Sequence, residues 1–300
     1  MSIEVKGLVK QYGTQLAVNN ITFSIPKGKV VGFLGPNGAG KSTTMKMLTS
    51  YVPPTSGSAS ICGFDVVKDA MEVRKRVGYL PEGNPLYYDM YVKEYLNFAA
   101  GIHQLSNKTA RINDVIEMTG LGKEMHKKIG QLSKGYKQRV GIAQAMIHDP
   151  EVLILDEPTS GLDPNQLADI RDLILNIGKN KTVLLSTHIM QEVQAMCSSA
   201  IIIKSGQIVA NNALQDIEIN KEMVGIQFTL NKEIPLMNME KIEFMNDIKS
   251  VDDYTWLVTT DQPDQFKQYL MQWAVERNIV IESLQTQKAS LEDVFRSLTK

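Results

Sequence analysis

Apolar and polar residues alternate near the start of the chain, in Ile3-Glu4-Val5 and again in Ile21-Thr22-Phe23-Ser24-Ile25, before Pro26-Lys27-Gly28 turns it. A period of two is the spacing of a strand with one buried face, so residues 1–30 are predicted to form a β region. Further along, the pattern changes to short continuous apolar runs: Val30-Val31-Gly32-Phe33-Leu34, Val77-Gly78-Tyr79-Leu80, Val152-Leu153-Ile154-Leu155 and Thr182-Val183-Leu184-Leu185-Ser186. Between the last two, Leu167, Ile170, Ile174 and Ile177 recur at helical spacing. Strands without alternation, separated by helices, imply a parallel sheet covered on both faces. From about residue 89 to 148 the strand signal fades and helical patterning dominates, as expected of a helical subdomain.

The character shifts near residue 218. Residues 219–300 hold both tryptophans; Ile226, Phe228 and Leu230 alternate, as do Ile279 and Ile281, and Phe266, Leu270 and Trp273 share a helical face. Ser290 could cap a last helix carrying Leu291, Val294 and Phe295. We read a domain over 1–218 followed by a small α/β accessory domain over 219–300, consistent with a length of 300 residues.

Charge and composition narrow the partners. With 32 basic and 33 acidic residues the formal net charge is −1, which lacks the basic excess expected of a nucleic-acid binder. Cys62 and Cys197 lie far apart, outside any C-x-x-C spacing, and are expected to be buried reduced thiols. No basic-then-apolar leader opens the sequence and no run approaches the roughly 18–20 apolar residues of a membrane span. Work at a membrane would require docking on another chain.

Against that background one stretch carries clear chemistry. Gly35-Pro36-Asn37-Gly38-Ala39-Gly40-Lys41-Ser42 fits G-x-x-x-x-G-K-[ST], follows an apolar strand and opens into a helical run beginning at Thr43. Glycines let backbone N–H groups converge on phosphate oxygens, and the first helical turn adds unpaired donors and the positive end of the dipole. Lys41 can reach the outer phosphates and the Ser42 hydroxyl can ligate Mg²⁺. The run 152–155 leads straight into Asp156-Glu157-Pro158: Asp156 is the candidate for Mg²⁺, Glu157 for polarising a water that attacks the γ-phosphate. Alone, Asp-Glu-Pro would be a turn ending an ordinary strand; the phosphate loop gives it a partner. Leu132-Ser133-Lys134-Gly135-Tyr136-Lys137-Gln138-Arg139 precedes a helical run, with Ser133 a good cap, and residue chemistry alone favours solvated surface there.

The order of these motifs, with Ser160-Gly161-Leu162-Asp163 and Ser186-Thr187-His188, resembles the ATP-binding cassette family of transporter ATPases over about residues 1–218. Tyr79-Leu80-Pro81-Glu82 and Ser290-Leu291-Glu292-Asp293-Val294-Phe295 resemble its exporter subunits with a C-terminal extension. Leu80-Pro81-Glu82-Gly83-Asn84-Pro85-Leu86-Tyr87 further resembles the gliding-motility-associated subfamily.

The resemblance implies an α/β P-loop cassette with a parallel-sheet core, an antiparallel β region and a helical subdomain. It implies ATP and Mg²⁺ as ligands, ATP hydrolysis, and a peripheral place on the cytoplasmic face of the inner membrane. The partners would be a second copy, joined head to tail, and a multi-spanning permease felt through residues 83–105, where Tyr87, Tyr88, Tyr91 and Phe98 could dock. Tyr12 would stack on adenine, Ser133 and Gly135 would contact the γ-phosphate held by the opposing copy, Asp163 would organise the neighbouring site, and His188 would bind the γ-phosphate and position water. His103, His126 and His148 have no such setting and read as structural. Two departures matter: Glu82 stands where the wider family has glutamine, keeping an oxygen for Mg²⁺ while adding charge, and Lys134 and Tyr136 replace glycine and glutamine. A regulatory switch uncoupled from transport is the competing reading; translation, repair and nucleotide-kinase roles fit less well.

Overall fold

The computed structural model describes residues 1–213, 224–235 and 242–288. The chain divides into two compact units, Met1–Asn212 and Ala213–Lys300. In the first, the alternating opening segment forms strands β1 (Ile3–Tyr12) and β2 (Gln15–Ile25), antiparallel, with Ile3 opposite Ile25 and Val5 opposite Phe23. β4 (Ser56–Ile61) and β5 (Phe64–Asp65) complete a four-stranded sheet in the order β2-β1-β4-β5. The small polar sequence of β4 gives little strand signal; pairing with β1, Ile61 opposite Ile3, extends the sheet.

The continuous apolar runs form β3 (Val30–Leu34), β6 (Val77–Leu80), β7 (Val152–Asp156) and β8 (Thr182–Thr187). With β9 (Ser199–Lys204) and β10 (Gln207–Ala213) they make a six-stranded sheet ordered β10-β9-β3-β8-β7-β6, parallel from β9 through β6. Both faces are covered, which is why alternation is missing. Val152, Ile154 and Leu184 join a core with Ile3, Val5 and Phe33. Leu153, Leu155, Val183 and Leu185 instead pack with Ile170, Ile174 and Ile177 of α6 (Pro164–Gly178). Side chains this deeply buried contribute roughly 1.5–3 kcal/mol each before entropy is counted.

Helices α3 (Val92–Ile102), α4 (Lys108–Met118) and α5 (Lys134–Met146) close around their own core, including Leu96, Val115 and Val140. One expectation changes in detail. The thiols are free but half-buried rather than buried, Cys62 in a turn beyond β4 and Cys197 just past α7 (Met190–Met196). Desolvation raises the pKa of both. Among the described residues no helix is long and apolar enough to cross a membrane.

In the second unit β11 (Val224–Leu230), β12 (Asp247–Ser250), β13 (Thr255–Thr260) and β14 (Ile281–Lys288) form an antiparallel sheet ordered β12-β13-β11-β14. Helix α8 (Pro263–Glu276) lays Phe266, Leu270 and Trp273 on Ile226, Phe228 and Val258. Ser290, Leu291, Val294 and Phe295, with the rest of that terminal motif, lie outside the described residues.

Candidate functional site

Parallel strands bring their C-terminal ends to one edge, where ligands of open α/β sheets bind. The register sets Leu34 beside Thr187 and Asp156 beside Ser186, so the residues that follow, Gly35, Glu157 and His188, emerge together. The Gly35 N–H donates to the Thr187 carbonyl at 3.2 Å. A β-carbon on Gly35 would meet the Ile203 carbonyl oxygen at 2.4 Å, and one on Gly40, at φ 103°, would meet that of Ala17 at 2.5 Å. The loop therefore tolerates only glycine at both positions. Pro36 and Ala39 close it, with the Ala39 N–H on the Pro36 carbonyl at 3.2 Å.

Past Gly40 the chain turns into α1 (Lys41–Leu48), whose first turn carries Ser42 and Thr43. Asn37, Gly38, Gly40, Lys41, Ser42, Thr43, Glu82 and Glu157 line a cleft of about 350 Å³, joined by Gln15 and Ala17. Lys41 Nζ donates to the carbonyls of Gly35 at 2.8 Å and Pro36 at 3.2 Å, and lies 3.4 Å from Glu157 Oε1.

Glu157 has a left-handed backbone, φ 50°, of order 1 kcal/mol or more above an ordinary one. It is fixed by Ser186: the Glu157 N–H reaches both Ser186 Oγ at 3.0 Å and the Ser186 carbonyl at 3.2 Å. The same hydroxyl donates to Asp156 Oδ1. Ser186 thus holds the Asp156 carboxylate and the Glu157 backbone. Glu157 Oε2 lies 3.0 Å from His188 Nδ1; a carboxylate only accepts, so this places the ring proton on Nδ1. Thr187, next to the histidine, donates to Glu192 Oε2 at 2.7 Å and accepts from the Ile189 N–H at 3.1 Å.

Ser133, Gly135 and Asp163 gather elsewhere and do not line the cleft. Ser133 caps α5, accepting the Tyr136 N–H at 3.3 Å, and Asp163 caps α6, accepting the Gln166 N–H at 2.9 Å. Tyr12 stands 47% exposed at the end of β1 with Lys10 Nζ 5.0 Å from its ring centroid; its cross-strand neighbour Gln15 lines the cleft.

A family model for the ABC transporter matches residues 18–160. ABC transporter ATP-binding protein NatA of Bacillus subtilis (strain 168) is 42% identical over 205 residues, covering 67% of this chain and 83% of that protein. Nod factor export ATP-binding protein I of Burkholderia pseudomallei (strain 1710b) is 33% identical over 303 residues, covering 99% and 96%. The chain belongs to the ABC transporter family. A solved dimeric structure of a bacterial ABC transporter cassette is similar too, with TM-score 0.64 and 25% identity over 71% of this chain and 98% of that one. The protein is an ATP-binding and ATP-hydrolysing subunit of that family, and cassettes of this kind dimerise and pair with membrane components.

Within the cassette, the sequence alone does not single out Ser186 as the anchor of the Asp156 carboxylate and the Glu157 backbone, the Glu192 anchor of the His188 turn, or Gln15. Ser186-Thr187-His188 stands out in the sequence for its histidine; only the β7–β8 register reveals the serine's part. The donors are of the kind Mg²⁺ takes: Ser42, Asp156 and Glu82 offer hard oxygens. Mg²⁺ usually takes one or two carboxylates, with water and phosphate oxygens filling the rest.

Proposed function

We propose that two copies of this subunit close head to tail over two ATP molecules and drive a separate multi-spanning permease of the export type. One observation carries the reading. The cleft holds the phosphate loop, Lys41 and Glu157, whereas Ser133, Gly135 and Asp163 sit together at the starts of α5 and α6 outside it. Each chain thus offers two half-sites, and a second copy's Ser133 and Gly135 would complete the first copy's cleft.

In this reading the loop amides and Lys41 hold the phosphates, and Tyr12 stacks on adenine. Glu157 polarises the attacking water as general base, and His188 binds the γ-phosphate as an imidazolium, whose two ring N–H groups let Nδ1 stay on Glu157 while Nε2 donates to the phosphate. Asp163 organises the neighbouring site. Ser42, Asp156 and Glu82 would hold Mg²⁺, which supplies neutralisation of phosphate charge. ATP bridges the copies through its γ-phosphate and hydrolysis removes the bridge, so differential affinity for ATP and ADP drives opening and closing.

The export assignment draws support from the relative named for Nod factor export, alike over nearly the whole chain; a peripheral place on the cytoplasmic face of the inner membrane follows from the proposed pairing with a permease. The relatives lend no support to a gliding-motility role for residues 80–87. The test is assembly of Glu157→Gln, followed by sedimentation: dimer with ATP and monomer with ADP is expected. A chain that stays monomeric with ATP while the wild type turns it over would overturn the paired site. Purification from native membranes should bring a multi-spanning partner; a partner without membrane spans would favour the regulatory switch.

A further inference from the structure

The Gly135 amide already has a partner within its own chain. Its N–H donates to Gln166 Oε1 at 3.0 Å, while the Gln166 N–H goes to Asp163 Oδ1 at 2.9 Å. A β-carbon on Gly135 would lie 2.8 Å from Gln166 Oε1 and 2.9 Å from its Cδ and Cγ, so the glutamine side chain lies directly over this glycine. Gly135 is buried beneath it, whereas Ser133 is exposed. The helices that carry the pair are also tied by Arg139 and Asp169, 2.9 Å apart.

The two groups meant for the opposing γ-phosphate are therefore not equivalent. Ser133 Oγ accepts the Tyr136 N–H but keeps its own proton to donate. Gly135 has a single proton, and Gln166 holds it. We infer that Gln166 is a positioning residue that occupies the Gly135 amide and is exchanged for a γ-phosphate oxygen when two copies close over ATP.

This inference rests on the head-to-tail reading above. A hydrogen bond to a charged phosphate oxygen is roughly twice as strong as one to a neutral amide, so the exchange runs forward with ATP. ADP has no γ-phosphate to offer, and Gln166 retakes the donor. Competition at that one proton raises the ATP concentration needed for closure and sharpens the distinction between ATP and ADP. Because Asp163 caps Gln166, the exchange is also felt at the loop that organises the neighbouring site.

The test uses the full chain carrying Glu157→Gln, which isolates assembly from turnover, and measures the ATP concentration for half-maximal dimerisation. Adding Gln166→Met keeps the bulk over Gly135 but removes the acceptor, and should lower that concentration about three- to tenfold, the range of one ordinary hydrogen bond. Gln166→Glu keeps the shape and adds charge, holding the amide harder and repelling phosphate; it should raise the concentration roughly tenfold or more. A merely structural glutamine would give shifts in the same direction for both variants, and either that or no shift for Gln166→Met overturns the inference. If the Glu157→Gln parent forms a dimer with ATP, such a result removes the role of Gln166 alone. If the parent never dimerises, the head-to-tail reading fails and the inference falls with it.

Discussion

Lys41 Nζ lies 3.4 Å from Glu157 Oε1, and the two side chains are only 6% and 7% exposed. Glu157 Oε1 has no hydrogen-bond partner, so Lys41 supplies the attraction there, while Oε2 is taken by His188. The groups expected to grip and to attack the γ-phosphate are thus held against each other. Such a buried pair gives little net stability, because lost hydration offsets most of its Coulomb energy. Under the proposed mechanism, exchanging the carboxylate for a phosphate around Lys41 would then cost little and would release Glu157 to a water.

Glu157→Gln keeps the shape and removes the proposed base. Turnover should fall about 10²- to 10⁴-fold, the usual worth of a positioned general base. ATP affinity should hold or rise, since Lys41 loses its competing ion. Single-turnover hydrolysis and nucleotide titration check both; turnover near wild type would exclude Glu157 as the base.

Lys41→Ala removes the cation and strands the carboxylate. ATP affinity should drop by about 10²-fold or more, as two charge-assisted contacts are lost. Stability should fall by about 1–3 kcal/mol, from an unpaired charge at the wall of a cleft that water can enter. Adding Glu157→Gln should recover much of that stability and none of the binding. A double-mutant cycle by denaturant unfolding and ATP titration separates the two effects.

What the sequence revealed and what it hid divide along a physical line. The phosphate loop, Asp156-Glu157 and Ser186-Thr187-His188 were legible because each pairs its chemistry with contiguous local context: an apolar strand, then a turn. Residues that matter through the pairing and packing of distant segments were hidden. Nothing in the chain order says that Ser186 stands beside Asp156 or that Gln166 lies over Gly135. β4 was hidden for a related reason, since its small polar residues become a strand by pairing with β1. The half-buried thiols show the same limit, because exposure at the end of a short element depends on neighbours distant in sequence.

Ser186→Ala tests the register-dependent part of the site. It leaves Asp156 Oδ1 without its donor and Glu157 N–H with the backbone carbonyl alone. Stability should fall by about 1–3 kcal/mol, the cost of unmade buried hydrogen bonds. Turnover should fall further than ATP affinity, because the Asp156 carboxylate and the Glu157 backbone lose an anchor while the phosphate loop is untouched. Ser186→Thr, which keeps the hydroxyl, should restore most of the turnover. Equal loss in both variants would show that packing, not the hydroxyl, is what counts.

His148 sets an acid limit on the fold. Its ring stacks on His103 at 4.0 Å, its Nε2 proton reaches the Val77 carbonyl at 3.1 Å, and its buried Nδ1 has no hydrogen-bond partner. Burial, reinforced by the neighbouring His103, lowers its pKa from 6.5 to about 4. Between those values the unfolded chain takes up a proton that the folded chain refuses, so stability is lost as pH falls from about 6.5 to about 4. The full shift corresponds to roughly 3 kcal/mol, and partial solvent access brings the expected loss to about 1–3 kcal/mol. Asp149, held below its ordinary 3.8 chiefly by the Lys181 ammonium, titrates beneath this window and does not share in the loss. His148→Phe retains a stacked ring and removes the proton. Denaturant unfolding across pH 4 to 7 should then show a flatter profile than the wild type; an unchanged slope would assign the acid sensitivity to another group.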